Sequence, residues 1–219
     1  MIGILIPAHN EEDLLEDCLR AALRAAQHEA LGGEAVEVLV VLDSCTDRSS
    51  AIVGSYPVHG LEIQARNVGQ ARALGAHFLL DRGVRWISCT DADSRVAQDW
   101  LVAQLALDAD AVCGTVTVAQ WDAAFSESAQ IRYHQHYQYR EGHRHIHGAN
   151  LGVSAEAYRR AGGFEPLACD EDVQLVRQLE RCGATIAWSQ RPQVLTSARL
   201  DSRARGGFGD YLRDLSQVG

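Results

Sequence analysis

Lysine is missing from this chain: all 20 of its basic residues are arginine. The omission excludes chemistry before any pattern is considered. A P-loop needs its phosphate-binding lysine, and Schiff-base, pyridoxal-phosphate and kinase mechanisms each need one too. Excess positive charge is also missing. With 29 acidic residues the formal net charge is −9, which leaves no basic face to displace counterions, so no nucleic-acid partner is expected. Cys-x-x-Cys pairs are absent. Cys18, Cys45, Cys89, Cys113, Cys169 and Cys182 are scattered, mostly within apolar patterns, as small core residues of a reducing cytosol. No stretch reaches the ~20 apolar residues of a transmembrane segment, and no basic leader precedes the first apolar run. A soluble, cytoplasmic protein is expected, with any membrane contact peripheral.

What is present is an alternation of strand and helix patterns across 219 residues, 47% of them hydrophobic, which suits one sizeable α/β domain. Ile2 to Ile6 (closed by Pro7), Val36 to Leu42, the short Leu61 to Ile63, Val84 to Thr90 and Ala111 to Val118 are apolar runs of strand length. Between the first two, Asn10-Glu11-Glu12-Asp13 opens a helix whose Leu14, Leu15, Cys18, Leu19, Ala22, Leu23 and Ala26 keep helical spacing, with Asn10 as its N-cap. Further helices are expected after Asp47, around Ala71 to Leu79, and from Gln98 to Leu107. Such alternation implies parallel strands joined by helical crossovers. Ser154 is expected to cap a helix that stops at Gly162-Gly163, and Asp170 one that ends at Gly183. A last strand covers Thr185 to Trp188, leading to Pro192. Beyond it the chain is rich in Arg and Gly and is expected to be a mobile loop, so a main domain of 1–195 and a tail or lid of 196–219 are drawn.

Between Trp121 and His147 the pattern changes to His134, His136, His143, His145 and His147 among tyrosines. Their irregular spacing and the lack of a nearby cysteine do not make a zinc site. The segment is expected to be helical, aromatic-rich and at the border of a substrate pocket. Asp91-Ala92-Asp93-Ser94 places two carboxylates, two residues apart, where a buried strand reaches the surface. Ligands of open α/β sheets bind beyond the carboxyl ends of strands, and hard divalent cations take carboxylate and phosphate oxygens together. The same residues can also form a turn or a helix cap.

Pro7-Ala8-His9-Asn10-Glu11-Glu12, Asp43-Ser44-Cys45-Thr46-Asp47, Asn67-Val68-Gly69 with Arg72 and Gly75, Asp91-Ala92-Asp93, Gly148-Ala149-Asn150 and Glu171-Asp172 follow one another in that order. As an ordered set they resemble the family 2 glycosyltransferases of the GT-A fold, from Ile2 to about Trp188. The resemblance implies a Rossmann-like three-layer α/β/α domain with a mixed, mostly parallel sheet. It also implies inverting transfer of a sugar from a nucleotide-diphosphate donor, UDP-sugar favoured, to an acceptor hydroxyl. Pro7, Ala8, Asn10 and Glu11 would then meet the nucleoside. Asp43 would accept from the uracil imide, with Leu42 standing where many relatives carry a second Asp. Arg72 would lie near the pyrophosphate or base. Asp91 would contact ribose or a metal-bound water, and Asp93 would ligate Mg²⁺ or Mn²⁺. Arg199, Arg203 and Arg205 are candidates to clamp the pyrophosphate, and Asp172 matches the general base. Asp170 and Glu171 can instead serve as helix caps.

Two other readings stay open. A nucleotidyltransferase on a similar scaffold would need a Gly-rich phosphate loop after the first strand, where His9 to Glu12 stand instead. A nucleotide-sugar-binding protein that has lost catalysis is opposed by intact Asp91, Asp93 and Asp172.

Overall fold

Ile2, Ile4, Ile6 and Ala8 face one way along the first strand and Leu5 the other, and both sets are buried. That is the pattern of a strand covered on both sides. The computed structural model describes residues 1–121, 127, 130, 131, 133, 137 and 139–198. His134, His136, Arg199, Arg203 and Arg205 lie outside the described residues. Along the chain come β1 (Ile2–Ala8), α1 (Leu15–Ala26), β2 (Val36–Asp43), α2 (Ser49–Gly54), β3 (His59–Ile63), α3 (Val68–Asp81), β4 (Trp86–Cys89) and β5 (Arg95–Val96). They are followed by α4 (Trp100–Leu105), β6 (Ala111–Trp121), β7 (Leu151–Ser154), α5 (Ala155–Ala161), α6 (Glu171–Arg181) and β8 (Ile186–Ala198).

The strands form one sheet in the order β3-β2-β1-β4-β7-β6-β8-β5. β3, β2, β1 and β4 pair in parallel, as do β6 and β8, while β7 runs antiparallel to β4 and β6, and β5 antiparallel to β8. The sheet is therefore mixed and mostly parallel, as expected. Two apolar cores flank it. One gathers the α1 face, with Leu15, Cys18, Leu19 and Ala22, together with Trp100 and Leu101 of α4. The other gathers α3, α5 and α6 through Leu79, Tyr158 and Leu175. The three-layer arrangement follows, and the carboxyl ends of β1, β2 and β4 open on one edge.

The expected N-caps at Asn10 and Asp170 are overturned. Asn10 has φ 54°, in the left-handed region, and its Oδ1 accepts from the Thr46 N–H at 2.7 Å, so the helix begins only at Leu15. Asp170 sits at the head of α6 with φ 60°, and its side chain caps nothing. Ser154 does cap α5, accepting from the Ala157 N–H at 3.1 Å. Two short strands went unforeseen, β5 and β7, and neither is long enough to show a period. The last strand is longer than expected and runs across position 195. It passes Pro192 because the register jumps there, from Gly114 opposite Ser189 to Thr115 opposite Gln193, and a proline needs no ladder bond in a bulge.

Asn150 ties the elements beneath this edge. Its Nδ2 donates to the Thr115 and Pro192 carbonyls at 2.7 and 2.9 Å, and its Oδ1 accepts from Trp100 Nε1 at 2.9 Å. The first turn of α3 is held as closely: the Gly69 N–H donates to the Leu167 carbonyl at 2.9 Å. A Cβ added at Gly69 would lie 2.6 Å from that carbonyl oxygen and nearer still to that of Glu165, both backbone atoms that cannot rotate away. At Gly75 the three atoms nearest an added Cβ all belong to side chains, those of Leu5, Val41 and Leu39. Gly69→Ala should therefore cost at least the ~1–3 kcal/mol of an overpacked core, and more than Gly75→Ala. Urea midpoints at unchanged slope measure both, and equal costs would refute the backbone contact.

Candidate active site

The ends of β1 and β2 are tied before anything can bind to them. Asn10 Oδ1 receives Thr46, the Glu11 N–H donates to Ser49 Oγ at 2.9 Å, and the Glu12 N–H donates to Asp47 Oδ2 at 2.9 Å. Beyond these ends lies a cavity of about 760 Å³. Pro7, Ala8 and Glu11 line it. Asn10 is not among its lining residues, its side chain being turned to the loop after β2.

Asp43, at the end of β2, is buried yet lines the same cavity. Its Oδ1 accepts from Ser44 Oγ at 2.9 Å and from the N–H groups of Ala65 and Arg66 at 2.8 Å each, and Oδ2 accepts from the Asn67 N–H at 2.7 Å. Burial opposes its charge, but the N–H groups of Asn67, Arg66 and Ala65 outweigh it and hold the carboxyl below its ordinary range. The carboxylate thereby shapes the loop between β3 and α3, in which Arg66 takes φ 48°.

Arg72, on α3, is 2% exposed. Nη2 donates to Asp91 Oδ1 at 2.6 Å and Nη1 to the Gly148 carbonyl at 3.0 Å. Nε lies 2.9 Å from Glu171 Oε1, an ion pair by distance without the alignment of a hydrogen bond. Burial works against the guanidinium charge, and Asp91 and Glu171 more than restore it. Gly148 also donates its N–H to Asp172 Oδ2 at 2.6 Å, while Asp172 Oδ1 accepts from the Val173 N–H at 2.7 Å. Burial raises the carboxyls of Glu171 and Asp172 above their usual range, with Arg72 opposing it in each.

Asp93 lines the cavity and accepts from Ser94 Oγ at 3.1 Å, and Thr196 of β8 lies 2.9 Å from the same hydroxyl. The far wall carries Tyr137, His145 and His147. Tyr137 stacks on His145 with ring centroids 4.2 Å apart and sits 2.8 Å from His147 Nε2. Burial, then His145 and His143, push His147 down to about 3, so this wall is neutral at ordinary pH. Tyr137, His145 and His147 of the aromatic segment thus border the pocket as expected, but residues 139–147 form no helix. Among the described residues no three His, Cys, Asp or Glu side chains are grouped to hold a metal.

Of the site residues foreseen, Pro7, Ala8, Glu11, Asp43, Arg72, Asp91, Asp93 and Asp172 meet at this one cavity. Reasoning from sequence missed Arg66 and His9, which also line it, and the pairing of Glu171 with Arg72. Arg66 lies beside Asn67, part of the recognised pattern, but nothing local marked it as lining the cavity.

The mixed, mostly parallel sheet with an acidic cleft beyond its strand ends is of the GT-A class, and the fold is shared with known members. S. aureus TarS 1–349, solved with UDP-GlcNAc, superposes with a TM-score of 0.70 at 13% identity, over 94% of this chain and 61% of that one. The mannosyltransferase PcManGT from Pyrobaculum calidifontis, solved with GDP-Man and Mn²⁺, gives 0.66 at 17% identity, over 92% and 58%. The chain thus spans less than two thirds of either structure. No curated protein matches it in sequence. It belongs to glycosyl transferase family 2, whose model matches residues 3–161. Among the described residues no helix is long and apolar enough to cross a membrane.

Removing the central cation tests the cluster. Arg72→Met keeps the stem but leaves Glu171 buried without its counter-charge, so stability at neutral pH should fall by about 3–5 kcal/mol, nearer the lower figure because Asp91 is 41% exposed. The deficit should shrink on acidification, as the carboxyls take up protons. Chemical denaturation at pH 7 and pH 4 reads it, and a loss independent of pH would contradict the charge argument.

Proposed function

We propose that this chain is an inverting glycosyltransferase that moves a sugar from a nucleoside-diphosphate donor, a UDP-sugar by preference, to an acceptor hydroxyl. The observation that carries the reading is the convergence of Asp43, Asp91, Asp93 and Asp172 on one cavity beyond the strand ends of a family 2 chain. Asp43 Oδ2 receives a single donor and so keeps an acceptor position for a ring N–H. Pro7, Ala8 and Glu11 form the nucleoside wall, and Asn10 supports it from behind through Thr46. Arg72, enclosed by carboxylates, acts by holding Asp91 and the residue 148 peptide. The diphosphate clamp falls to Arg199, Arg203 and Arg205 of the tail.

The donor set fits Mg²⁺ or Mn²⁺. Asp91 and Asp93 offer hard oxygens but no complete protein cage, so the remaining ligands would be diphosphate oxygens and water. Bound there, the ion would act as a Lewis acid on the departing diphosphate. PcManGT, solved with Mn²⁺, is consistent with this. Asp172 serves as the base. Each of its oxygens has one backbone donor and so one free lone pair, and its raised proton affinity suits it to take the acceptor hydroxyl's proton. As that oxygen bonds to the anomeric carbon, the bond to the diphosphate breaks on the opposite side.

Calorimetry should find UDP bound more tightly with Mn²⁺ than with chelator, and Asp93→Ala should remove most of the difference. Equal affinity under both conditions would overturn the metal assignment. Asp172→Asn should lower turnover by the ~10²- to 10⁴-fold that a positioned base supplies, with UDP affinity little changed. An amide has one acceptor oxygen where two N–H groups now find one each, a cost of about 1–3 kcal/mol that relief of the buried charge offsets at neutral pH, so folding should be little changed. In the unaltered enzyme the rate should rise with pH through a value above the ordinary carboxylate range, because the base must be deprotonated and its folded pKa is raised. Normal turnover in Asp172→Asn would move the base elsewhere.

A further inference from the structure

Asp91 and Asp93 belong to one tight turn, closed by the Ser94 N–H on the Asp91 carbonyl at 3.0 Å, yet they are held by different elements. Arg72 of α3 holds Asp91. Asp93 Oδ1 instead accepts from Ser94 Oγ at 3.1 Å, and that oxygen lies 2.9 Å from Thr196 Oγ1 of β8. The ladder explains the meeting. β5 pairs antiparallel with β8, Arg95 opposite Leu195 and Val96 opposite Val194, so one step further the same register sets Ser94 opposite Thr196. Residues 102 positions apart thus become cross-strand neighbours. Pro192, Val194 and Thr196 alternate as buried residues of β8, so position 196 falls where an apolar side chain would pack. A hydroxyl stands there instead, and it and the Ser94 hydroxyl are both buried, so each needs the partner it finds in the other.

The chemistry of the three groups fixes which way the protons run. Ser94 has one hydroxyl proton, and a carboxylate accepts it more strongly than a neutral hydroxyl does, so Ser94 donates to Asp93 and Thr196 donates to Ser94. Each bond polarises the next. Held in this way at Oδ1, the Asp93 carboxylate is restrained against rotation about its Cβ–Cγ bond, a freedom that a metal ligand on a short turn would otherwise lose only on binding. The hydrogen-bonded partners of a metal ligand set its orientation and its basicity. We propose that Thr196 is a positioning residue: through the Ser94 hydroxyl it presets the Asp93 carboxylate for a divalent cation, so that metal affinity depends on a residue of β8 that acts through another. The proposal rests on the metal-assisted donor reading above.

The test is the Mn²⁺ affinity of the protein with UDP, read from the electron paramagnetic resonance of free Mn²⁺, in the unaltered chain, Thr196→Val, Thr196→Ser and Ser94→Ala. Calorimetry of UDP in chelator is the metal-free control. Valine keeps the branched shape and removes the hydroxyl, serine keeps the hydroxyl, and thermal midpoints check that each variant is folded. Thr196→Val should weaken Mn²⁺ by about tenfold, the lower end of the range for partners of metal ligands, and Ser94→Ala by at least as much. Thr196→Ser should keep most of the affinity, and UDP binding in chelator should be the same in every variant. In an Asp93→Ala background, Thr196→Val should cost nothing further, because its effect passes through that carboxylate. Unchanged Mn²⁺ affinity in Thr196→Val overturns the proposal and leaves the metal reading standing. An equal loss in Thr196→Ser overturns it too, since packing rather than the hydroxyl would be responsible. A fall of UDP binding in chelator points to direct contact with the nucleotide and likewise overturns it. If the unaltered protein binds UDP no better with Mn²⁺ than with chelator, the metal reading falls and takes the proposal with it.

Discussion

One buried guanidinium holds the site together. Arg72 comes from the crossover between β3 and β4, Asp91 from the end of β4, Gly148 from the entrance to β7 and Glu171 from the head of α6, and all meet at that charge. A cation removed from water costs several kcal/mol unless its partners are all in place. Four segments far apart in sequence are therefore tied to one arrangement, since withdrawing any of them leaves charge uncompensated. Gly148 passes the constraint onward, its carbonyl accepting from Arg72 and its N–H donating to Asp172. The carboxylates at the end of β4 and the carboxylate heading α6 are thereby set in register with each other.

The same cluster is electrostatically unbalanced in a way that suits chemistry more than stability. Glu171 and Asp172 have folded pKa values raised above those of the unfolded chain, with burial the leading cause. Their favourable contribution is full only below the unfolded values and is lost as pH rises through the folded ones, so at neutral pH both ionised groups work against the fold. Asp43 has the opposite sign. Its lowered pKa adds stability above the unfolded value, lost as pH falls through the folded one. Stability is thus concentrated at the end of β2 and given up at the head of α6.

How much could be read in advance followed from the range of the forces involved. β1, β2 and β4 were legible because strands buried on both faces appear as unbroken apolar runs, and α1 because its buried face repeats every three to four residues. Asn10 and Asp170 looked like caps because their residue types suit that role. Both take the left-handed conformation, a choice made for Asn10 by Thr46 across the loop and invisible from local composition. β5 and β7, two and four residues long, have meaning only through the strands they pair with. Pro192 looked like an end and is a bulge because β6 supplies the altered register.

Sequence by itself determined the layers, the order of the acidic residues along the chain and the absence of lysine, since each is a matter of composition or short-range period. Tertiary structure decided which charges are available. Arg72 and Arg66 are six positions apart and identical in type, yet one is enclosed by carboxylates and the other lines the same cavity with no side-chain partner among the described residues. The difference arises because pairing depends on what the folded chain brings within a few ångströms, and Asp91, Gly148 and Glu171 come from 19 to 99 residues away.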